Sequence, residues 1–385
     1  MCTSASADIA KIVMLDAARI QEEDARLKRE RHRREGRRSR YPEVPLYTED
    51  DANAVLPLFS PVEYERRVEI CQGIEASFHD AGHILGSAMI KVFVRDRGVE
   101  RVLLFSGDVG RWQKPILRDP TVFAEADYVC VETTYGDRMH ERSDDLADRL
   151  AAVINRTQKA GGNVVIPSFA VGRTQEIMYY LNQLLMQDRI PHLMVFIDSP
   201  MAVKVTEVFK RHVEMFDRET VELLLEEKSP FGFPNLKLVS SVGESKAINH
   251  IRGTAIIIAG SGMCTGGRVK HHLVNNIDRS ESTILFVGYQ AVGTLGRHIV
   301  EGSEEVRIMG QTFPVHAELA QLEGFSSHAD REELWKWLSG LHTAPKGVFL
   351  THGEPKAAQA FSDLLTERTQ WPVMVPRYRE QVTLA

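Results

Sequence analysis

Three residues of this chain share one setting. His83 in DAGHILGS, Asp108 in SGDVGR and His352 in THGEP each adjoin a short apolar run and stand among glycines. Imidazole and carboxylate offered from separate loops suit a hydrolytic metal centre, because a cation must be surrounded in three dimensions while one position stays open for water. With fourteen histidines present, any one alone is better read as a surface or hydrogen-bonded residue; three polar residues placed where they serve packing least favour a metal. A second pair joins them. Glu132 ends the run YVCVE, and His328 lies in GFSSHADREEL just before a helical pattern. A carboxylate beside a histidine orients the ring and raises its pKa, which suits it to protonate a leaving oxygen. The competing account is that Ser327 or His328 caps that helix and Glu132 meets an arginine.

These residues need strand ends to hold them. Between residues 68 and 108 the sequence runs in short β-rich stretches (EICQGIEASF, AMIKVFVRD, ERVLLFSGD) joined by glycine-containing turns, and YVCVET at 128–133 is a further strand. Upstream, residues 6–34 carry Ile9, Ile12, Val13 and Ala18 at helical spacing, which predicts an amphipathic helix. DDLADRLAAVINRTQKAGG predicts a helix over 144–162, stopped by paired glycines. Strand and helix patterns then alternate through NVVIPSF, TQEIMYYLNQLLMQ, LMVFIDSP, VKVTEVFKRHVEMF, TAIIIAGSG, RVKHHLVNNI and STILFVGY, the signature of a mainly parallel sheet flanked by helices. The fold class is therefore α/β. At 385 residues the chain exceeds one ordinary core, and a single core divided by an inserted α/β domain accounts for the pattern. The divisions fall at 1–145, 146–305 and 306–385.

Composition narrows the function classes. With 43% hydrophobic and 26% charged residues, and no apolar run long enough to span a bilayer, no membrane role is expected. The amino-terminal stretch lacks the basic and apolar regions of a secretory signal, so the expected location is cytoplasmic. Cys2, Cys71, Cys130 and Cys264 are scattered without CxxC pairing, against both a disulfide framework and a cysteine-bound zinc. Net charge is -6, yet residues 26–40 hold nine Lys or Arg, either a patch for phosphate backbones or a solvated helix end. The segment GSGMCTGGR is no Rossmann fingerprint, since its spacing and context differ.

Taken in order, DAGHILGS, SGDVGR, VETTYGDR, PSFAVGRTQE, DSPMA, GSGMCTGGR, GYQAVGTLGR, GFSSHAD and THGE resemble the blocks of the β-CASP branch of the metallo-β-lactamase fold. These are RNA-processing nucleases related to the cleavage subunit of mRNA 3′-end processing. The resemblance runs from about Cys2 to Leu384. It implies a metallo-β-lactamase αββα sandwich with its amino-terminal part missing, interrupted by an inserted β-CASP α/β domain. It also implies a two-zinc site in which Asp108 bridges the ions, His83 and His352 each complete one, and Glu132 and His328 form the acid motifs. Ser168, Arg173, Ser261, Gly262 and Arg268 would then face the nucleic-acid strand; for Arg173 and Arg268, structural salt bridges are the alternative. RNA is the implied partner, with single-stranded DNA and a homodimer left open, as are endonuclease and exonuclease modes.

One departure limits this. The family's HxHxDH, which supplies most zinc ligands ahead of the region resembling CTSASADIAKIVMLDAARIQEEDA, does not occur in the 385 residues. The favoured expectation is a truncated reading frame or mis-assigned start, with a zinc site incomplete in this chain. A catalytically inactive nucleic-acid-binding or scaffold relative is the first alternative, and a small-molecule metallo-hydrolase the second.

Overall fold

The computed structural model describes residues 1–140, 145–251 and 253–384. Helix α1 (Ser4–Glu35) opens the chain, capped by Thr3, whose hydroxyl accepts from Ser6 N, and closed by Gly36 in the left-handed region at φ 65°. Short α2 (Glu49–Val55) follows, then strands β1 (Val68–Cys71), β2 (Ile74–Asp80), β3 (Ala88–Asp96), β4 (Val99–Phe105) and β5 (Tyr128–Glu132). Next come α3 (Leu146–Ala160), β6 (Val164–Pro167), α4 (Arg173–Met186), β7 (Met194–Asp198), α5 (Pro200–Arg211), α6 (Arg218–Leu225), β8 (Leu236–Leu238) and α7 (Val242–Ile248). The series continues with β9 (Ala255–Ala259), α8 (Val269–Asn276), β10 (Thr283–Phe286), α9 (Leu295–Val300), β11 (Glu305–Ile308), β12 (Gln311–Pro314) and β13 (Glu318–Gln321). It ends with α10 (Arg331–Leu338), β14 (Gly347–Thr351), α11 (Pro355–Arg368) and β15 (Val373–Met374). The helix expected over 144–162 is α3; its first residue, 144, lies outside the described residues.

Two sheets result. The first has order β1-β2-β3-β4-β5-β14-β15, antiparallel up to β4 and parallel beyond it. The second, β13-β10-β6-β9-β7-β8, is parallel throughout. The alternation of strand and helix predicted this second sheet, because parallel neighbours need a crossover helix between them. Strand β13, at 318–321, pairs with β10, so the second sheet draws a strand from beyond residue 305.

Alternation along the first sheet sends Met89, Leu104, Val129, Val131, Val348 and Leu350 into a core closed by Trp337, Leu338, Phe361 and Leu365. The opposite face is also apolar, with Phe105 42% exposed and Leu103, Cys130 and Phe349 beside it, only partly overlaid by Pro376, Val382 and Leu384. Strands apolar on both faces are built for cover on both sides. Among the described residues, one sheet of the expected αββα sandwich is present. No helix among them is long and apolar enough to cross a membrane.

Buried cations tie the two sheets together. Lys114, on the loop after β4, pairs with Glu176 of α4 at 2.6 Å and donates to the carbonyls of Phe325 and Ser326 at 3.3 and 2.9 Å. Burial, offset in part by Glu176, pulls its ammonium down to about 8. Removing one member of such a pair leaves the other charge buried and alone. Lys114→Ala is expected to cost on the order of 3–5 kcal/mol in denaturant unfolding, and Lys114→Met combined with Glu176→Leu much less. A near-zero loss for the single variant would show that the pair does not hold the sheets.

Candidate metal centre

The strand ends bring the site together through close backbone contact. Gly110 N donates to Ala81 O at 2.7 Å, joining the loop after β4 to the loop after β2. A Cβ at Gly110 would lie 2.0 Å from Gly82 O, so the loops carrying Asp108 and His83 meet only because position 110 has no side chain. Parallel pairing of β14 with β5 sets Thr351 opposite Glu132. His352, one residue on, turns into the left-handed region at φ 49°, and its carbonyl accepts from Thr134 Oγ1 at 3.1 Å.

Glu132 lies at the centre with its side chain 1% exposed. One oxygen accepts from Val109 N at 2.7 Å, the other from Thr134 N at 3.3 Å, and both face His328 Nδ1 at 3.0 and 3.1 Å. The helix after His328 is capped by Asp330, which accepts from Glu332 N and Glu333 N. This removes the alternative in which Ser327 or His328 is the cap and Glu132 meets an arginine.

Two neighbouring imidazoles take opposite states. Burial alone would lower His328, but the Glu132 carboxylate outweighs it and holds the ring above its ordinary pKa. For Glu132, burial would raise the carboxyl, and the hydrogen bond from His328 leads the effects that keep it below its usual value. His83, whose ring centroid is 4.4 Å from that of His328, is pushed down to about 4 by burial and then by its charged neighbour. At neutral pH His83 is therefore a neutral imidazole, while its neighbour His328 holds a proton more tightly than a free imidazole does.

The residues fit a bound cation. His83 Nδ1 is buried without a hydrogen-bond partner among the described residues, and Nε2 stands 3.6 Å from Asp108 Oδ2, beyond hydrogen-bonding range. The other oxygen of Asp108 faces His352 Nδ1 at 3.3 Å, so one carboxylate addresses two imidazoles. Ligand atoms of His83, Asp108 and His328 lie within 4.8 Å of one another. Nitrogen and carboxylate oxygen form a donor set that zinc takes. His352 joins through Asp108 and lies outside this tightest group, where the sequence had suggested His83, Asp108 and His352 as the set.

The expected substrate residues fare differently. Arg173 is buried, donating to Val287 O with Glu176 at 4.0 Å, and Arg268 is held by Asp198 at 2.7 Å and by the carbonyls of Val239 and Ser240. Arg268 thus meets internal partners, as in the salt-bridge alternative, whereas the buried Nε of Arg173 has no hydrogen-bond partner among the described residues. Ser168 is buried against Thr174. Gly262 is buried under the Phe169 ring, and Ser261 is half-buried with its hydroxyl accepting from Gly266 N.

Two residues escaped the sequence. His140 Nε2 donates to His328 O at 2.9 Å while its backbone N donates to Asp330 Oδ2 at 2.8 Å. Burial pushes this ring down to about 4, so it is neutral with the proton on Nε2. Lys114 grips the carbonyls just ahead of His328. Neither stands in a spacing that carries a signal; His140 follows Glu132 by eight positions, and Lys114 is one of 47 basic residues.

Histidine NMR of the metal-free chain is expected to show His328 titrating above pH 6.5 and His83 near 4. Because the raised His328 value reflects a stabilised imidazolium, its contribution to stability is present below about pH 6.5 and is lost as pH rises through the folded value. Glu132→Gln should bring His328 down; an unchanged His328 titration would remove Glu132 as the cause.

Comparison with known proteins places this geometry. A family model described as the Beta-Casp domain matches residues 174–299, and one described as the Zn-dependent metallo-hydrolase RNA specificity domain matches residues 312–376. A ribonuclease of Thermus thermophilus is 37% identical over 338 residues, covering 88% of this chain and 76% of that protein. Transcription termination factor FttA of Methanosarcina mazei is 34% identical over 307 residues (77% of this chain, 48% of the factor). Its namesake in Methanocaldococcus jannaschii is 32% identical over 346 residues (87% and 53%). The chain thus spans about half the length of these termination factors.

Proposed function

The chain belongs to the β-CASP family of metallo-β-lactamase-fold RNA-processing nucleases, and from that premise we propose that its site serves hydrolysis of RNA phosphodiester bonds. The observation that carries this reading is the paired Glu132 and His328 set directly against His83 and Asp108. Zinc, when bound, lowers the pKa of water and stabilises charge on phosphoryl oxygen. His83 and Asp108 would hold it, with His352 on the far oxygen of Asp108. Glu132 occupies His328 Nδ1, which leaves Nε2 as the proton donor to the departing oxygen. The bond from the imidazolium to its buried carboxylate fixes the ring plane, while His140 and Lys114 fix the backbone that carries it. In this proposal the inserted unit at 146–305 forms one wall of the RNA cleft. A cytoplasmic location fits free, unpaired cysteines.

A second reading has its own support: with His328 engaged by Glu132, His83, Asp108 and His352 are the ligands at this site among the described residues, and three protein ligands do not hold two zincs in hydrolytic geometry. Under it the chain binds nucleic acid without cutting it. Zinc analysis of the purified chain separates the two, since about two ions per chain would refute the non-enzymatic reading. In a form carrying the HxHxDH segment and supplied with zinc, cleavage of a single-stranded RNA is expected, with the same DNA sequence as competitor. Asp108→Ala should abolish zinc retention and cleavage together, and His328→Ala should slow cleavage about 10²–10⁴-fold with zinc retained. Cleavage unchanged in both variants would overturn the assignment.

A further inference from the structure

The carboxyl-terminal third of α1 and the residues just after it form a strongly cationic surface away from the site. Lys28, Arg29, Arg31, Arg33 and Arg34, with Arg26, Arg37, Arg38 and Arg40, are all exposed, against Glu30 and Glu35 as the acids of that stretch. Arg26 pairs with Glu23 and Glu30, and Arg37 with Glu35. Lys28, Arg29, Arg31, Arg33 and Arg34 make no ion pair among the described residues. Arg29 and Arg33 stand four apart on one face, and Lys28 with Arg31 and Arg31 with Arg34 stand three apart, spacings at which like charges repel. The helix holds its form here without a core beneath it, because Ala25 is its last buried residue. It nonetheless runs ten residues further to an ordered Gly36 cap, where Gly36 N and Arg37 N donate to Arg33 O and His32 O and His32 contacts Glu43.

The other end of the same helix is fixed at the site. Ser6 Oγ and Thr3 Oγ1 donate to Gly86 O, three residues from His83, at 2.7 and 2.8 Å, and Asp8 pairs with Arg211 and His212 at the end of α5. From Ser6 to Arg29 the helix rises roughly 35 Å at 1.5 Å per residue. We propose that this cationic end is a second docking surface for RNA, which grips the phosphate backbone without regard to sequence at a fixed distance from the cleft. Charge complementarity is the warrant: a run of cations in a chain of net charge -6 meets a polyanion by releasing its counterions. Tyr41, 67% exposed with Arg40 over its ring at 5.6 Å, adds a face on which an unpaired base stacks. The proposal rests on RNA being the substrate of the site, and is tested apart from cleavage.

The probe is a labelled 30-nucleotide single-stranded RNA, with binding to the full chain followed by anisotropy across salt concentrations. In a variant carrying Lys28→Gln, Arg29→Gln, Arg31→Gln, Arg33→Gln and Arg34→Gln, the plot of log affinity against log salt should flatten by about 0.7 per lost contact, up to about 3.5 in all, and affinity at low salt should fall at least tenfold. A second variant with lysine at the four arginine positions should keep the wild-type slope, and circular dichroism should show the helix in both. An unchanged slope in the glutamine variant, or loss of slope in the lysine variant, overturns the proposal. Loss of binding to phosphatidylserine vesicles with RNA binding intact also overturns it, in favour of a membrane surface. Failure here leaves the zinc and cleavage outcomes for Asp108→Ala as they are, so the two readings fail separately.

Discussion

A buried carboxylate that must be satisfied organises this molecule. Taking the Glu132 charge out of water costs several kcal/mol unless partners replace the lost hydration. The adjoining loop supplies Thr134 N, and two segments distant in sequence supply the rest: Val109 N from the loop after β4 and the ring of His328 from the approach to α10. Each partner brings a neighbour with it. Val109 fixes Asp108, Thr134 fixes His352 through its hydroxyl, and His328 sets its ring against His83. The cluster therefore assembles around the one group in it that touches almost no solvent.

Buried cations do the same for the junction of the two sheets. Lys114 on Phe325 O and Ser326 O, Arg111 on Gly324 O and Arg173 on Val287 O each cap carbonyls that a loop turning between sheets leaves unpaired. Of their acids, Glu176 is as buried as the cations it meets, and Glu333 is somewhat more exposed than Arg111. Ion pairs of this kind add little net stability over apolar packing, yet they fix distance and direction sharply. A cleft whose walls must stay in register across a bound polymer benefits from the second property.

How much of this was legible in the sequence depended on whether a local rule governed the residue. The parallel sheet was readable because crossover helices impose an alternation of periods, and α1 because its apolar positions recur every three or four residues. Glu132, His328, His83, Asp108 and His352 were legible from their place at strand ends, and the fold brings these five together. Their grouping was only partly legible: whether His328 or His352 approaches His83 more closely depends on the turn at His352, at φ 49°, which no spacing encodes. The partners of Arg173 and Arg268 were illegible for the opposite reason. An arginine in a glycine-rich loop looks free in sequence, and its true partners, Val287 O and Asp198, lie 114 and 70 positions away. The place of β13 in the second sheet is likewise a long-range pairing that no local signal marks.

The roles of the two central histidines follow from their environments and not from their residue type. Two imidazoles 4.4 Å apart in a buried setting cannot both carry charge, because each would raise the cost of the other. Something must break the symmetry. Glu132 does so by contacting only His328, which lets that ring keep its proton while His83 gives its own up. A neutral imidazole is a ligand and an imidazolium is an acid. Glu132 thus distinguishes the two rings through its hydrogen bonds to His328, while burial is the larger effect on His83.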